Sequence, residues 1–229
     1  MVDHREPSSA AGRGGPALRR RDILILVALL VIVGVVVALV IRSPSRGTAS
    51  AGAAAAKTAR LDGLPVTPAK PAPPLALNNY LGTPINISSY RGKAVLVTFL
   101  YTHCPDICPL IASKLHTALT RMPAAERRQV QIIAVSVDPH GDTPTTVAQF
   151  LAEHKMVGGM QYLIGTQRRL GNVWVNWDVA SQPDETNPAL VNHTALIYGI
   201  TGTGKVTVIY PANFAPAEIV HDVPVLARA

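Results

Sequence analysis

The feature that most constrains the fold is an apolar stretch that runs directly into the two cysteines of the chain. Residues 94–100 are almost entirely apolar, and residues 101–109 follow at once with Cys104 and Cys108, the only cysteines among 229 residues. Pro109 suits the first turn of a helix, where its missing N–H would have no partner. The sequence therefore predicts a buried strand, a tight turn and a helix, with two thiols at the turn.

The pattern after residue 75 predicts an α/β domain. Apolar residues recur at helical spacing after Pro109, and residues 130–137 form a second apolar stretch that indicates another buried strand. Residues 194–200 and 206–210 flank a glycine-containing turn and predict a hairpin. Strands that alternate with helices are typical of an α/β layout. We expect one domain from residue 75 to residue 229, with a central mixed sheet flanked by helices.

The N-terminal region predicts a membrane anchor. Residues 23–41 are 19 consecutive uncharged positions, apolar except for Gly34, and a helix of that length nearly matches the hydrocarbon core of a bilayer. A cleaved secretory signal is the alternative, although its apolar core usually runs only about 7–15 residues. Five arginines precede the run and two follow it closely. This bias predicts a single-pass protein of the cell membrane, with residues 1–22 cytoplasmic and the functional domain extracytoplasmic.

The basic charge lies outside the predicted domain. Residues 1–74 carry ten basic and four acidic side chains, whereas residues 75–229 carry eleven and ten. Proteins that bind nucleic acids concentrate basic charge on the folded domain, so the sequence argues against such a partner. Residues 42–74 are rich in alanine and proline and have few large apolar side chains to bury, which predicts a flexible tether.

Two thiols four positions apart can close one disulfide or bind one metal ion. Residues i and i+4 of a helix face the same way, at a separation that a disulfide can bridge. In an oxidising compartment the pair would form a disulfide unless a partner reduces it or a metal holds it. Thiolates favour soft ions such as Cu(I), and imidazole also suits copper. Structural zinc is an alternative, although it usually takes four ligands.

Three segments together resemble the SCO/SenC family. They are residues 99–109 (FLYTHCPDICP), residues 135–144 (VSVDPHGDTP) and residues 192–194 (NHT), the last before an apolar strand. Members are membrane-tethered, thioredoxin-like copper proteins that serve the assembly of the cytochrome c oxidase copper site. The resemblance extends from about residue 75 to the C-terminus, and it implies a thioredoxin-like fold.

The resemblance also supplies a third ligand. Family members place a ligand histidine on a loop before a late strand, and His193 stands at the matching position. The resemblance therefore implies a copper site made by Cys104, Cys108 and His193. The chain departs from the family at Asn192, where many members carry an acidic residue, and at His140, where many carry glutamate. The missing carboxylate beside His193 is expected to weaken the retention of Cu(II).

These features lead to one main functional hypothesis and two alternatives. The main hypothesis is a metallochaperone that delivers Cu(I) or Cu(II) to subunit II of cytochrome c oxidase and exchanges copper or electrons with other donors and thiol reductants. The first alternative is a thiol–disulfide oxidoreductase that keeps the cysteines of the oxidase reduced, which requires Cys104 and Cys108 but not His193. The second is a peroxide-reducing enzyme or redox sensor, which the spacing of the cysteines fits poorly.

Other candidate residues receive structural interpretations. We expect His103 to be an exposed loop residue and Asp138 to turn the chain after its strand. Asp106 is expected to accept N–H groups at the helix start. Trp174 and Trp177 are expected to belong to the core.

Overall fold

The computed structural model describes Arg21, residues 29–33, residues 60–183 and residues 190–229. The chain divides into two compact units, Met1–Lys57 and Thr58–Ala229. In the first unit, Arg21 and residues 29–33 are helical and exposed. No helix within the described ranges is long and apolar enough to cross a membrane. Most of the predicted span at residues 23–41, and the predicted tether as far as residue 59, lie outside the described residues.

The second unit contains two sheets. Its described strands are β1 (Leu64–Pro71), β2 (Ala76–Asn79), β3 (Pro84–Asn86), β4 (Ala94–Leu100), β5 (Val130–Ser136), β6 (Met160–Ile164), β7 (Ser181–Pro183), β8 (Val191–His193), β9 (Leu196–Ile200) and β10 (Lys205–Pro211). Eight of them form one sheet in the order β1-β10-β9-β4-β5-β6-β2-β3, and β7 pairs with β8 in a separate sheet. Strands β4, β5 and β6 are parallel, and the other pairs are antiparallel.

Helices flank the large sheet. The described α-helices of this unit are α1 (Ile107–Arg121), α2 (Ala124–Arg127), α3 (Pro144–Glu153), α4 (Gln167–Asn176) and α5 (Pro216–Arg228), and a 3₁₀ helix spans Ile87–Tyr90. Helix α1 packs against α5, which also contacts β4. The predicted mixed α/β architecture is therefore confirmed.

The central strand β4 positions the cysteines. All seven of its residues are buried, which explains the nearly continuous apolar run, because a strand covered on both faces has no polar side. Its parallel neighbour β5 ends at the same edge of the sheet, where the Val137 N–H donates to the Leu100 carbonyl at 3.0 Å. The loops that follow β4 and β5 therefore meet at this edge.

The folded unit begins earlier than residue 75, the start predicted from composition. Residues 64–71, assigned by the sequence to the tether, form strand β1 and pair with β10 at the edge of the sheet. Prolines are tolerated in an edge strand because it need not donate hydrogen bonds on its free side. The side chains of β1 are mostly exposed, so its sequence has neither the apolar periodicity nor the composition of a typical strand.

A buried carboxylate joins the start of this unit to its last helix. Asp222 on α5 is fully buried and accepts hydrogen bonds from the N–H groups of Asp62 at 2.9 Å and Gly63 at 3.1 Å. The Tyr210 hydroxyl donates to the same carboxylate at 2.8 Å. These donors offset the cost of burying the charge, and the segment before β1 is thereby attached to α5 and β10.

Candidate metal centre

The two cysteines lie where β4 turns into α1. The helix begins at Ile107, whose N–H donates to the side chain of Asp106. Cys108 is therefore in the first turn of the helix, whereas Cys104 lies in the preceding turn and not on the helix itself. The Cys108 N–H donates to the Cys104 sulfur at 3.4 Å. An amide at the helix N-terminus thus stabilises negative charge on Cys104.

Both cysteines are free thiols, and they differ in access. Cys104 retains 6% of its surface exposed and Cys108 none. A cavity of about 250 Å³ opens beside Cys104, and its lining includes Tyr101, Val191 and His193. A reactant that enters this cavity therefore meets the Cys104 sulfur first.

His193 lies next to the cysteine pair although 85 positions separate it from Cys108. It ends strand β8 and places its Nε2 atom 3.7 Å from the Cys108 sulfur. Its Nδ1 atom lies 3.2 Å from the Thr194 carbonyl oxygen. Because a carbonyl oxygen can only accept, Nδ1 carries a proton in this contact, and Nε2 faces the sulfur. The structure brings the three predicted ligands together, while their role as ligands stays a prediction.

The ligand atoms of Cys104, Cys108 and His193 lie farther apart than the ligand atoms of two other side-chain clusters. Two sets of metal-ligating side chains within the described ranges have ligand atoms that all lie within 4.8 Å of one another. They are Asp62 with His221 and Asp222, and His103 with Asp138 and Asp142. The most buried carboxylate of each set already accepts main-chain N–H groups. The ligand atoms of Cys104, Cys108 and His193 do not all lie within this distance of one another. Binding a single ion would therefore require these three atoms to move closer together.

The pKa values of the two thiols are shifted in opposite directions. The hydrogen bond that the Cys108 thiol donates to the Cys104 sulfur lowers the pKa of Cys104, and this effect, aided by His193, outweighs the opposing effect of burial. The same hydrogen bond raises the pKa of Cys108, and burial raises it further. These opposite directions favour Cys104 as the thiolate of the pair and Cys108 as the thiol that keeps its proton.

This inequality predicts an unusual pH profile for alkylation. We expect the rate at which iodoacetamide modifies Cys104 to change less than about twofold between roughly pH 6 and pH 8, because its sulfur is already ionised. An ordinary thiol, with a pKa of about 8.5, gains about tenfold in thiolate per pH unit over most of that range. Peptide mass spectrometry measures the rate at each cysteine.

The Cys108→Ala variant is the matched control. It removes the thiol whose hydrogen bond lowers the pKa of Cys104 most strongly. The pH dependence of Cys104 alkylation is expected to become steeper in this variant. A wild-type rate that rises about tenfold per pH unit would contradict the assignment of the thiolate to Cys104.

A buried carboxylate that the sequence analysis did not single out supports the cysteine loop. Asp142 is 4% exposed and accepts hydrogen bonds from the Thr102 N–H at 2.8 Å and the Tyr162 hydroxyl at 2.9 Å. Burial raises the pKa of Asp142. A signal for this contact was available, because Asp142 follows the second of two parallel strands and the loops after such strands meet.

The minor candidates behave as expected. His103 is exposed. Asp138 turns the chain after β5 and accepts the N–H groups of His140 and Gly141 at 3.2 and 2.9 Å. Both tryptophans are buried. None of these observations gives a direct role at the cysteine pair.

The mixed sheet and its flanking helices define a thioredoxin-like protein. Its candidate site, where β4 and β5 end, contains two thiols and an imidazole. The pattern of the SCO1/SenC family matches residues 67–228. The chain therefore belongs to the SCO1/SenC family, as its motifs indicated.

Individual relatives agree with this assignment. The mitochondrial protein SCO1 homolog of Mus musculus is 28% identical over 162 residues, which cover 68% of this chain and 56% of that protein. The apo Sco1 protein of Thermus thermophilus superposes with a TM-score of 0.64 at 27% identity, over 73% of this chain and 97% of that one. Bradyrhizobium japonicum ScoI, solved with copper bound, gives 0.56 at 28% identity, over 68% and 98%. The chain spans about half the length of the curated relatives it matches.

Proposed function

We propose that this chain is a copper metallochaperone that acts outside the cell membrane and delivers its metal to subunit II of cytochrome c oxidase. One observation carries the proposal: Cys104, Cys108 and His193 lie together at one edge of the sheet, with the imidazole 3.7 Å from a sulfur. Membership of the SCO1/SenC family supports it, as does the copper in the related Bradyrhizobium structure.

The donor set suits copper that is carried and released. Two thiolates favour Cu(I), and the imidazole adds a ligand that Cu(II) also accepts. Binding to both sulfurs displaces the proton that Cys108 holds, because the thiolate is the ligand. Cys104 faces the cavity, so an incoming thiolate of the acceptor would reach the metal from that side. Transfer then proceeds by ligand exchange, with acceptor sulfurs replacing those of this chain in turn.

The location of the domain is part of the proposal. The uncharged run at residues 23–41 and the arginines before it would hold the N-terminus in the cytoplasm. The folded unit would then lie in an oxidising compartment, where two free cysteines need a reductant or a metal to stay out of a disulfide. A copper carrier that exchanges with donors and reductants meets this requirement.

Copper titration of wild type and His193→Ala tests the proposal. We expect wild type to bind one copper per chain in either oxidation state. Loss of the imidazole is expected to weaken Cu(II) at least about a hundredfold, comparable with the upper range for disturbed metal sites. Cu(I) should weaken less than about tenfold, because both thiolates remain. Competition with chelators of known affinity measures both values.

His103→Ala is the matched control for this experiment. It removes an exposed histidine beside Cys104 without changing either sulfur. This variant should bind both oxidation states like wild type. Equal Cu(II) affinity in wild type and His193→Ala would show that the imidazole is not a ligand, and a wild type that binds neither ion would refute the copper function.

The difference in pKa between Cys104 and Cys108 favours thiol–disulfide exchange as a second function. The Cys104 thiolate would attack a partner disulfide, form a mixed disulfide and release the first partner thiol. Cys108, after losing its proton, would attack the Cys104 sulfur and release the second partner thiol. The partner gains two electrons and this chain ends as a disulfide. A His193→Ala variant that supports oxidase assembly as well as wild type does would favour this role over copper delivery.

A further inference from the structure

We propose that the edge of the large sheet opposite the cysteines binds the surface of an anionic phospholipid bilayer. Seven exposed cations make up this basic edge: Arg91, Lys93, Arg121, Arg127, Arg128, Lys205 and Arg228. The role of such a contact rests on the membrane location in the proposed function. The contact itself involves none of the candidate copper ligands and can be measured without copper.

The strand register places the basic edge on one side of the domain. Strands β4 and β5 are parallel and start side by side. Strand β9 ends and β10 starts at the same edge, because Ile200 pairs with both Val95 and Val206. Helix α5 ends there as well, since the Gly202 N–H donates to the Leu226 carbonyl at 2.8 Å. The cysteine loop follows the other end of β4, so the length of this strand, about 20 Å, separates the two edges.

Each cation lies beside the start or the end of an element at this edge. Arg91 and Lys93 directly precede β4, and Lys205 begins β10. The three arginines of residues 121–128 lie at the end of α1 and just before β5, and Arg228 ends α5. The fold therefore brings together seven cations that come from four separate segments of the chain.

Little negative charge offsets the basic edge. Glu126 and the terminal carboxylate of Ala229 are the acidic groups of the same four segments. Within the described ranges, none of the seven cations forms an ion pair with a carboxylate. The Arg91 guanidinium lies against Gly204, where it would overlap any added side chain, and so stands next to Lys205. These cations are therefore available to an anionic partner.

The loops around the cysteines carry the opposite charge. The loops after β4 and β5 contain Asp106, Asp138 and Asp142 and neither lysine nor arginine. The nearly balanced charge of residues 75–229 thus conceals a separation of charge between two edges of the domain. A negatively charged surface attracts the basic edge and repels the loops at the other edge.

The chain itself favours a bilayer as the partner. The uncharged run at residues 23–41 predicts a membrane span, and only residues 42–59 separate it from Arg60, the first described residue of the folded unit. A tether of that length reaches up to about 60 Å when extended, so either edge can face the lipid and charge selects the basic one. Each lysine or arginine close to an anionic membrane strengthens binding about fivefold. The cysteine loop then faces away from the lipid and is open to a partner protein.

Lysine footprinting of the copper-free full chain tests this contact. The chain is placed in vesicles of phosphatidylcholine alone or of phosphatidylcholine mixed with phosphatidylglycerol, and it is acetylated at low salt with N-hydroxysuccinimidyl acetate. Lys93 and Lys205 are expected to react at least about fivefold more slowly in the anionic vesicles, because lipid phosphates bind and cover their ammonium groups. Lys114, on α1 and outside the basic edge, should change less than about twofold. Peptide mass spectrometry measures each rate.

Two pairs of arginines provide a matched comparison. Arg127→Gln/Arg128→Gln removes two charges from the basic edge. Arg168→Gln/Arg169→Gln removes two exposed charges from the first turn of α4, which follows the opposite end of the sheet. The first variant should keep less than about twofold protection of Lys93, since two lost cations weaken binding about 25-fold, whereas the second should match wild type. Salt at about 0.5 M should abolish the protection, because it screens charges beyond a few ångströms.

Two results would overturn the proposal. Equal acetylation rates in both kinds of vesicle would leave the basic edge to an acidic protein surface instead of lipid. An equal loss of protection in both arginine variants would show that the contact does not use this edge. Flotation of the chain with phosphatidylcholine vesicles tests the predicted anchor separately. A chain that binds no copper but protects Lys93 would refute the proposed metal function and leave the lipid contact standing.

Discussion

The double variant Cys104→Ser/Cys108→Ser is expected to lose its copper almost completely, retaining less than about a tenth of an equivalent after desalting. Serine keeps the size of the side chain but replaces a soft thiolate with a hydroxyl that stays protonated and binds copper poorly. The remaining imidazole of His193 cannot hold the ion alone. Metal analysis of the purified chain after loading with Cu(I) gives the stoichiometry directly.

Asp106→Asn is a suitable control for this result. The Asp106 carboxylate lies 3.8 Å from the Cys104 sulfur and caps α1, a position that asparagine also favours. We assign no ligand role to it, so this variant should keep one copper per chain. A double cysteine variant that retains a full equivalent would place the metal elsewhere and end the copper proposal for this site.

Truncating Asp222 is expected to cause the largest loss of stability among the single changes considered. Asp222→Ala leaves the Tyr210 hydroxyl and two main-chain N–H groups without their acceptor. An unsatisfied buried donor costs about 1–3 kcal/mol. We therefore expect the free energy of unfolding of the unit Thr58–Ala229 to fall by about 3–5 kcal/mol, as measured by urea unfolding.

Asp62→Ala separates this effect from the loss of a surface charge. The Asp62 carboxylate is exposed and lies 3.4 Å from His221, while its main-chain N–H would still donate to Asp222. Surface ion pairs contribute about 0–1 kcal/mol, so this variant should unfold close to wild type. A similarly small effect in Asp222→Ala would show that the buried carboxylate does not secure the start of the unit.

The cysteine loop was predictable because its signals are local. A buried strand, a proline that suits a helix start and two cysteines between them specify the turn without any distant contact. The position of Cys104 before the helix was not predicted, since the boundary depends on Asp106, whose side chain accepts the first helical N–H. His193 was identified through its resemblance to a family motif, because no local pattern links it to the cysteines.

Strand β1 shows that composition alone does not always distinguish a strand from a linker. Its prolines and exposed side chains resemble a linker, and its place in the sheet depends on hydrogen bonds to β10 and on the segment before it, which donates to Asp222. Asp142 shows a related limit. Its burial follows from the meeting of two loops after parallel strands, which the sequence suggests only once the sheet order is known.

The sequence by itself determined the α/β class, the two thiols at a strand-to-helix turn and, through its motifs, the family. These features are written in short stretches, where periodicity and turn residues act over a few positions. The tertiary structure alone decided how differently the two thiols are buried and how near His193 lies to the sulfurs. Those properties depend on distances between residues far apart in the chain, and such distances exist only after the sheet has assembled.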